Sequence, residues 1–388
     1  MGTLTRLVCL LLSPLWLATA EAGSSAGGPL RGLTPDELAR FSAGRDAFVV
    51  EEGVGDGLGP VFNGTSCAAC HSVPAIGGGS TLVETRFGTT TDGVFDPLAN
   101  LGGSLIQTDG IGPQDNCTFV GEKVPPDATI VAGRRTTSLL GLGLVDAVPD
   151  ATFLRLASRE ARLHPTTAGR AHVVRDVSTG ALAVGKFGWK SQVPNLFVFS
   201  GDAYLNEMGI TTPLFPDESC PQGDCTLLAC DPVPGLDDED LDDVEHFRDF
   251  MTLLAPAPRP WPTLDSLIGS FLFAQAGCAY CHVRTLVTGP SDVAALRFRL
   301  IQPFSDFLLH DMGMLGDGIV QGDAKGTEMR TAPLWGLRFL TTFLHDGRAH
   351  TIDEAILAHD GQGRAARDRF AALSSISKAR LLAYLRTL

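Results

Sequence analysis

The chain has 388 residues, 44 % of them hydrophobic and 19 % charged, with 44 Gly and 24 Pro. That is enough apolar side chain for a real core, so wholesale disorder is excluded, and the length allows two or three domains. Lys and Arg number 30 against 44 Asp and Glu, a formal charge of −14. No basic stripe offsets it, so no nucleic-acid partner is expected.

Residues 1–20 read as an export signal. Arg6 is its one charge, an apolar stretch interrupted by Pro14 follows, and Ala18-Thr19-Ala20 supplies small residues for cleavage near Ala20. The stretch is short for a membrane span, and no later segment is apolar for long enough. The mature chain is therefore expected in the periplasm with no membrane span. Residues 21–30 are a Gly/Ser-rich lead.

A first helix opens at Thr34, with Glu37 as its capping-box partner, Pro35 in its first turn, and Leu38, Phe41 and Phe48 on one side. It leads towards Cys67-Ala68-Ala69-Cys70-His71. A second such pentapeptide, Cys278-Ala279-Tyr280-Cys281-His282, follows Leu267, Ile268, Phe271, Leu272 and Phe273, which run at helical spacing up to Gly277. Two thiols three positions apart can add across the two vinyl groups of one haem, and the adjacent histidine is then held beneath the iron. A redox dithiol or half a zinc site would explain a lone C-x-x-C, but not the histidine in both copies. The helical pattern breaks after each histidine, at Pro74 and Gly77 and at Gly289 and Pro290. The cofactors expected are two covalently bound c-type haems. Their attachment sites lie too far apart for one small cytochrome.

The reading is a mainly α chain: two cytochrome c-like haem domains with extensive Gly/Pro-rich loops. The signal is 1–20, the N-terminal haem domain 21–165, a connecting region 166–260, and the C-terminal haem domain 261–388. A long Gly-rich excursion covers 77–112. In the connecting region Phe187, Trp189, Val193, Pro194 and Leu196 suggest a packed turn, and 204–210 a short helix. Residues 237–245 hold seven acidic groups, which reads either as a solvated helix start or as a docking face for a basic donor. Four prolines in 256–262 form a hinge.

Cys9 leaves with the signal. Cys117, Cys220, Cys225 and Cys230 remain outside the two clips and suit two disulfides in an oxidising compartment, with zinc as the rival. Three pairings are open, and Cys117 is expected to reach one of the other three.

Each covalent haem leaves one iron face open. For the second haem, Thr351 caps a helix with Glu354, Ile352, Ala355, Ile356 and His359 share a face, and Gly361 and Gly363 end it. His359 is the favoured sixth ligand, with His345, Met312, Met314 and Met329 as rivals. A final helix over 377–385 closes the domain. The first haem has no methionine between His71 and Met208, and only His164 and His172 as later histidines before it. Its iron is therefore expected to be open or only weakly ligated. A carboxyl must then move protons, and Glu84, Asp146 and Glu160 are the catalytic candidates. Arg134 and Arg135 suit haem propionates better than a departing oxygen. Trp335 and Tyr280 suit packing around the porphyrin, or a shortened electron path.

An ordered set of motifs carries a resemblance over roughly residues 35–388. It runs Phe62-Asn63-Gly64 with the first clip, the Leu139 to Asp146 stretch, Gly188-Trp189-Lys190 and Leu205-Asn206-Glu207-Met208-Gly209-Ile210. It continues through His310-Asp311-Met312-Gly313 and Arg330-Thr331-Ala332-Pro333-Leu334-Trp335-Gly336-Leu337 to His345-Asp346-Gly347-Arg348. The chain resembles the bacterial dihaem oxidoreductases, described as peroxidases or thiol oxidoreductases and distantly related to dihaem cytochrome c peroxidases. The resemblance implies a six-coordinate C-terminal haem that relays electrons and an N-terminal haem that reacts with hydrogen peroxide, the small-molecule substrate. It implies an electron-donor cytochrome or cupredoxin, and a calcium between domains. Fourteen residues beyond the histidine of the His-x-Gly motif, where the family places a distal methionine, this chain has His359. Imidazole in place of thioether lowers the potential expected of that haem. Relatives place a tryptophan between the haems within the first domain, whereas here none lies between Trp16 and Trp189. Oxidation of a protein or another small molecule, or electron transfer without catalysis, are the alternatives.

Overall fold

The computed structural model describes residues 25–388; the export signal and Cys9 lie outside the described residues. The main helices are α1 (Pro35–Phe48), α2 (Asp150–Leu163), α3 (Leu196–Met208), α4 (Asp242–Leu253), α5 (Leu264–Ala276), α6 (Ile352–Leu357), α7 (Arg364–Ala371) and α8 (Ser375–Leu385). Among these residues no helix is long and apolar enough to cross a membrane.

The fold is mixed, with more helix than strand, which is broader than the mainly α expectation. β1 (Val83–Thr91) is the centre of a three-stranded antiparallel sheet with β2 (Val94–Asp96) and β3 (Ile130–Arg135). The stretch 77–112, read as a loop excursion, holds β1 and β2 because Val83, Thr85, Thr89, Thr90 and Thr91 favour extended backbone. β4 (Leu309–Asp311) pairs with β5 (Glu328–Arg330) further along.

Local chemistry explains the helix ends. Thr34 and Glu37 cap α1 reciprocally, and Thr351 and Glu354 do the same for α6. Gly277 takes φ +89° to end α5, a backbone turn that L side chains resist. The connecting-region helix α3 begins well before the expected 204–210 and ends at Met208, and the acidic run leads into α4.

The larger core joins α1 (Phe41, Phe48), α3 (Leu196, Tyr204) and α4 (Phe247, Phe250) to Phe307, Leu308 and Trp335. A smaller core gathers Phe273, Phe304, Phe370, Leu381, Tyr384 and Leu388. α8 packs so closely on α5 that a Cβ at Gly269 would strike the Arg380 carbonyl. The inward line of α5 is therefore Ser266, Gly269, Phe273 and Ala276, and Leu267 and Phe271 point outward. Two disulfides form, Cys117–Cys230 and Cys220–Cys225, so Cys117 does reach one of the later three.

Candidate haem sites

At the second clip, Gly277 turns the chain into Cys278, whose thiol is unbridged, as is that of Cys281. The Nδ1 of His282 lies 3.0 Å from the Phe304 carbonyl. A carbonyl can only accept, so the proton sits on Nδ1 and Nε2 keeps its lone pair. His359 is held in the same tautomer by the Ala355 carbonyl at 2.8 Å. Desolvation, with His359 adding to it, pushes His282 down to about 4. His359 is likewise lowered, by desolvation. Neutral imidazoles are what an iron needs.

Both rings line one cavity of about 490 Å³, with Phe273, Met329, Leu334, Trp335 and Leu337 among its apolar walls. Met312 and His345 also line it, whereas Met314 is 86 % exposed and drops out as a ligand.

Two buried arginines face this cavity without a hydrogen-bonded carboxylate. Arg330 donates to the Gly188 carbonyl at 2.7 Å and to that of Thr331, and desolvation lowers it to about 10. Arg135 donates only to the Ser80 and Thr136 carbonyls, and its Nε has no partner. An apolar slot, two thiols, two metal-competent imidazoles and two unneutralised guanidinium groups match a porphyrin with two propionates. The residues therefore fit a haem. Arg134, expected beside Arg135 in this role, instead spends its guanidinium on Asp317 at 2.7 Å.

Glu160 comes to this clip rather than to the first. Its Oε2 accepts from the Gly169 amide at 3.0 Å, while Oε1 is buried and unpartnered. Burial and the nearby Asp306 push it up to about 7. Asp306 also binds His310 Nε2 at 3.0 Å, and His310 Nδ1 meets Cys281 Sγ at 3.5 Å.

At the first clip, Ser66 caps the Cys67–Cys70 turn, and His71 Nδ1 donates to the Gly78 carbonyl at 3.1 Å. Desolvation pushes His71 down to about 4. Beside Cys70 lies a carboxyl pair. Glu84, from β1, is hydrogen-bonded to Glu207 near the end of α3. Arg86 grips Glu84 at 2.8 Å and holds it below the usual range despite a large burial penalty. Asn63 donates to Glu207 at 3.0 Å, but burial and the Glu84 charge raise Glu207 to about 8. Near neutral pH one carboxyl is ionised and the other carries a proton. Glu207 lies in the Leu205 to Ile210 motif, and its proximity to Glu84 depends on a contact across more than one hundred residues, which no local sequence signal announces.

Asp146 is engaged elsewhere. It accepts from the Leu196 amide at 3.3 Å and faces Lys186 at 3.9 Å, while burial raises it to about 6. Trp189 lines the cavity at the second clip, hereafter the second cavity, with its indole N–H on the Arg135 carbonyl at 2.9 Å. Two residues beyond Arg135, the Thr137 backbone also hydrogen-bonds His71.

Paired thiols with tautomer-locked imidazoles define the equipment of a c-type haem protein. The chain belongs to the family described as "Di-haem oxidoreductase, putative peroxidase", whose pattern it matches over residues 117–388. That match begins beyond the first clip. No curated protein matches the chain. Distant structural likenesses include a hydrazine synthase of Kuenenia stuttgartiensis, 15 % identical over 100 % of both chains with a TM-score of 0.42. Another is the diheme peroxidase BthA of Burkholderia thailandensis, 16 % identical over 92 % of this chain and 86 % of that one, TM-score 0.40. A MauG-like protein associated with microbial copper homeostasis is 16 % identical over 95 % of each chain, also with a TM-score of 0.40.

Proposed function

We propose that this chain is a periplasmic dihaem peroxidase that reduces hydrogen peroxide at its N-terminal haem with electrons relayed by its C-terminal haem. Residues 21–165 and 261–388 would each carry one haem, joined by 166–260. Cys67 and Cys70, and Cys278 and Cys281, would hold the two haems, with His71 and His282 as the iron ligands that each clip would supply and His359 as a further ligand that the second haem would take. Bound haem supplies the electron storage and the iron chemistry of peroxide cleavage. The net reaction takes hydrogen peroxide, two electrons and two protons to two waters, the electrons coming from a small cytochrome or cupredoxin.

The chain's own contribution is proton handling and positioning. Glu207 keeps a proton near neutral pH and Glu84 is its ionised acceptor, so the pair can pass a proton on and recover it. Asn63 and Arg86 fix the two carboxyls. Trp189 and Arg135 connect the second cavity to the backbone that holds His71. The observation that carries the reading is the Glu84–Glu207 pair beside Cys70, because a pure electron carrier has no need of a proton donor there.

The test is spectroscopic and kinetic. Purified mature protein is expected to carry two covalent haems, one of them with a five-coordinate population that binds cyanide. Two irons low-spin and unreactive in every redox state would make the chain an electron carrier instead.

A further inference from the structure

The chain has three tyrosines, and among the described residues only the Tyr204 hydroxyl hydrogen-bonds a carboxylate. It lies 3.2 Å from Glu52 Oε1 and 3.3 Å from Asp243 Oδ2. The Tyr204 side chain is 2 % exposed, whereas Glu52 and Asp243 are half-buried and lead to solvent. Burial and the Asp243 and Glu52 charges push the phenol well above its ordinary range. It therefore keeps its proton unless it also loses an electron. Glu52 is raised as well, by burial and by the Asp243, Asp56 and Asp238 charges around it, which makes it a readier proton acceptor.

The fold sets this phenol against the first clip. Tyr204 and Glu207 lie one turn apart on α3. Glu207 bears on Cys70 and Tyr204 on Cys67, and Cys67 packs against the core that holds the tyrosine. The Glu52 amide donates to the Thr65 carbonyl at 2.7 Å, two residues before Cys67, so the proton acceptor is tied to the clip. Rings fill the way to the histidine. Tyr204 stands edge-on to Phe247 at 5.1 Å, Phe247 edge-on to Phe48 at 6.1 Å, and Phe48 is 6.3 Å from the His71 ring. Tyr280, which stacks on His164, and Tyr384, which meets Phe273 and Phe304, belong to the second clip.

We propose that Tyr204 is a redox-active residue that gives an electron to the first haem once peroxide has oxidised it, with Glu52 taking the phenolic proton. The inference rests on the reading of the first haem as the site of peroxide reaction. In this step the phenolic O–H bond breaks, the electron passes to the oxidised haem, the proton moves to Glu52 Oε1, and a neutral phenoxyl radical remains. One electron from the donor protein and the proton returned by Glu52 restore the phenol. One of the two oxidising equivalents of peroxide is thereby held on the protein until that electron arrives.

The experiment mixes holoprotein with hydrogen peroxide, freezes it rapidly and records electron paramagnetic resonance, with stopped-flow absorbance of the haems in parallel. A tyrosyl signal is expected that narrows when the protein carries ring-deuterated tyrosine. Tyr204→Phe is expected to abolish it while the absorbance change of the first haem persists. Glu52→Gln keeps a hydrogen-bond acceptor for the phenol but removes the base, and the signal is expected to rise about 10²-fold more slowly. A first haem that reacts with peroxide yet yields no tyrosyl signal, a signal that survives in Tyr204→Phe, or a Glu52→Gln variant that matches the parent would each overturn the proposal. A first haem with no absorbance change would instead sink the peroxidase reading. The comparison is then made with flash-generated tris(bipyridine)ruthenium(III) as the oxidant, which needs no peroxide. A tyrosyl signal lost in Tyr204→Phe upholds the electron donor, and its absence from the parent ends it.

Discussion

Arg134 and Asp317 form an ion pair at 2.7 Å with both side chains almost wholly buried, and it ties β3 in the N-terminal half to a loop between β4 and β5. Lys190 completes it, its Nζ 2.8 Å from the other Asp317 oxygen. The remaining Lys190 protons go to the Lys325, Gly326 and Glu328 carbonyls, so the ammonium also gathers the loop that leads into β5. Two cations share one carboxylate here, and this arrangement depends on every member staying in place.

Asp317→Ala leaves two buried cations without their counter-ion and is expected to destabilise the fold by about 3–5 kcal/mol, read by urea unfolding. Burial opposes ionisation of Asp317, yet Arg134 and Lys190 hold its carboxyl below the ordinary range. A depressed folded value means the stabilisation is complete above the unfolded carboxylate range and is lost as pH falls through the folded value. Unfolding curves from neutral pH downward should show this loss in the parent and a shallower slope in Asp317→Asn. Parallel slopes would remove the ion pair from the account.

Glu207→Gln keeps the hydrogen-bonding shape of the acid but has no proton to give. Peroxide turnover is expected to fall about 10²-fold or more, the scale of a general acid, with both haems still attached. Because Glu207 is raised to about 8, parent activity should decline as pH rises through that value, and the variant should lack this limb. A limb that survives in Glu207→Gln would assign the titration to another group.

Features set by neighbours in sequence were readable before any fold was known. The clips, the Thr34–Glu37 and Thr351–Glu354 caps and the Gly277 stop all depend on residues within a few positions of each other. His359 was readable for the same reason, since it lies one turn beyond a capped apolar face. The acid pair was not, because Glu84 sits on a strand and Glu207 on a helix, and only the folded sheet brings them together. Arg134 and Arg135 are adjacent in sequence but point to opposite sides of β3, so one binds Asp317 and the other faces the cavity. On α5 the apolar residues occur all round, and the packed face was decided by Gly269, which lets α8 approach.

Residues 21–165 hold no tryptophan, and Trp189 is the indole that lies beside Arg135. It lines the second cavity, stands 6.2 Å from the His345 ring and donates to the Arg135 carbonyl. Trp189→Phe keeps the ring but leaves that buried carbonyl unpaired, a cost of about 1–3 kcal/mol. Electron movement between the haems, followed after flash reduction of the second, should slow while the spectrum of each haem stays the same. An unchanged rate would route the electron elsewhere.

His359→Ala should open the second iron without touching Cys278 or Cys281, so covalent haem content stays at two while one low-spin signal converts to high-spin. His359→Met should restore a six-coordinate iron with a higher reduction potential, since thioether favours the ferrous state more than imidazole does. The His282 tautomer, fixed by the Phe304 carbonyl, is independent of either change, which keeps the proximal side constant across the series. If His359→Ala leaves the low-spin signal intact, the ligand is another group lining the cavity. Met312 and His345 are then the next to change, and the one whose replacement opens the iron takes the role.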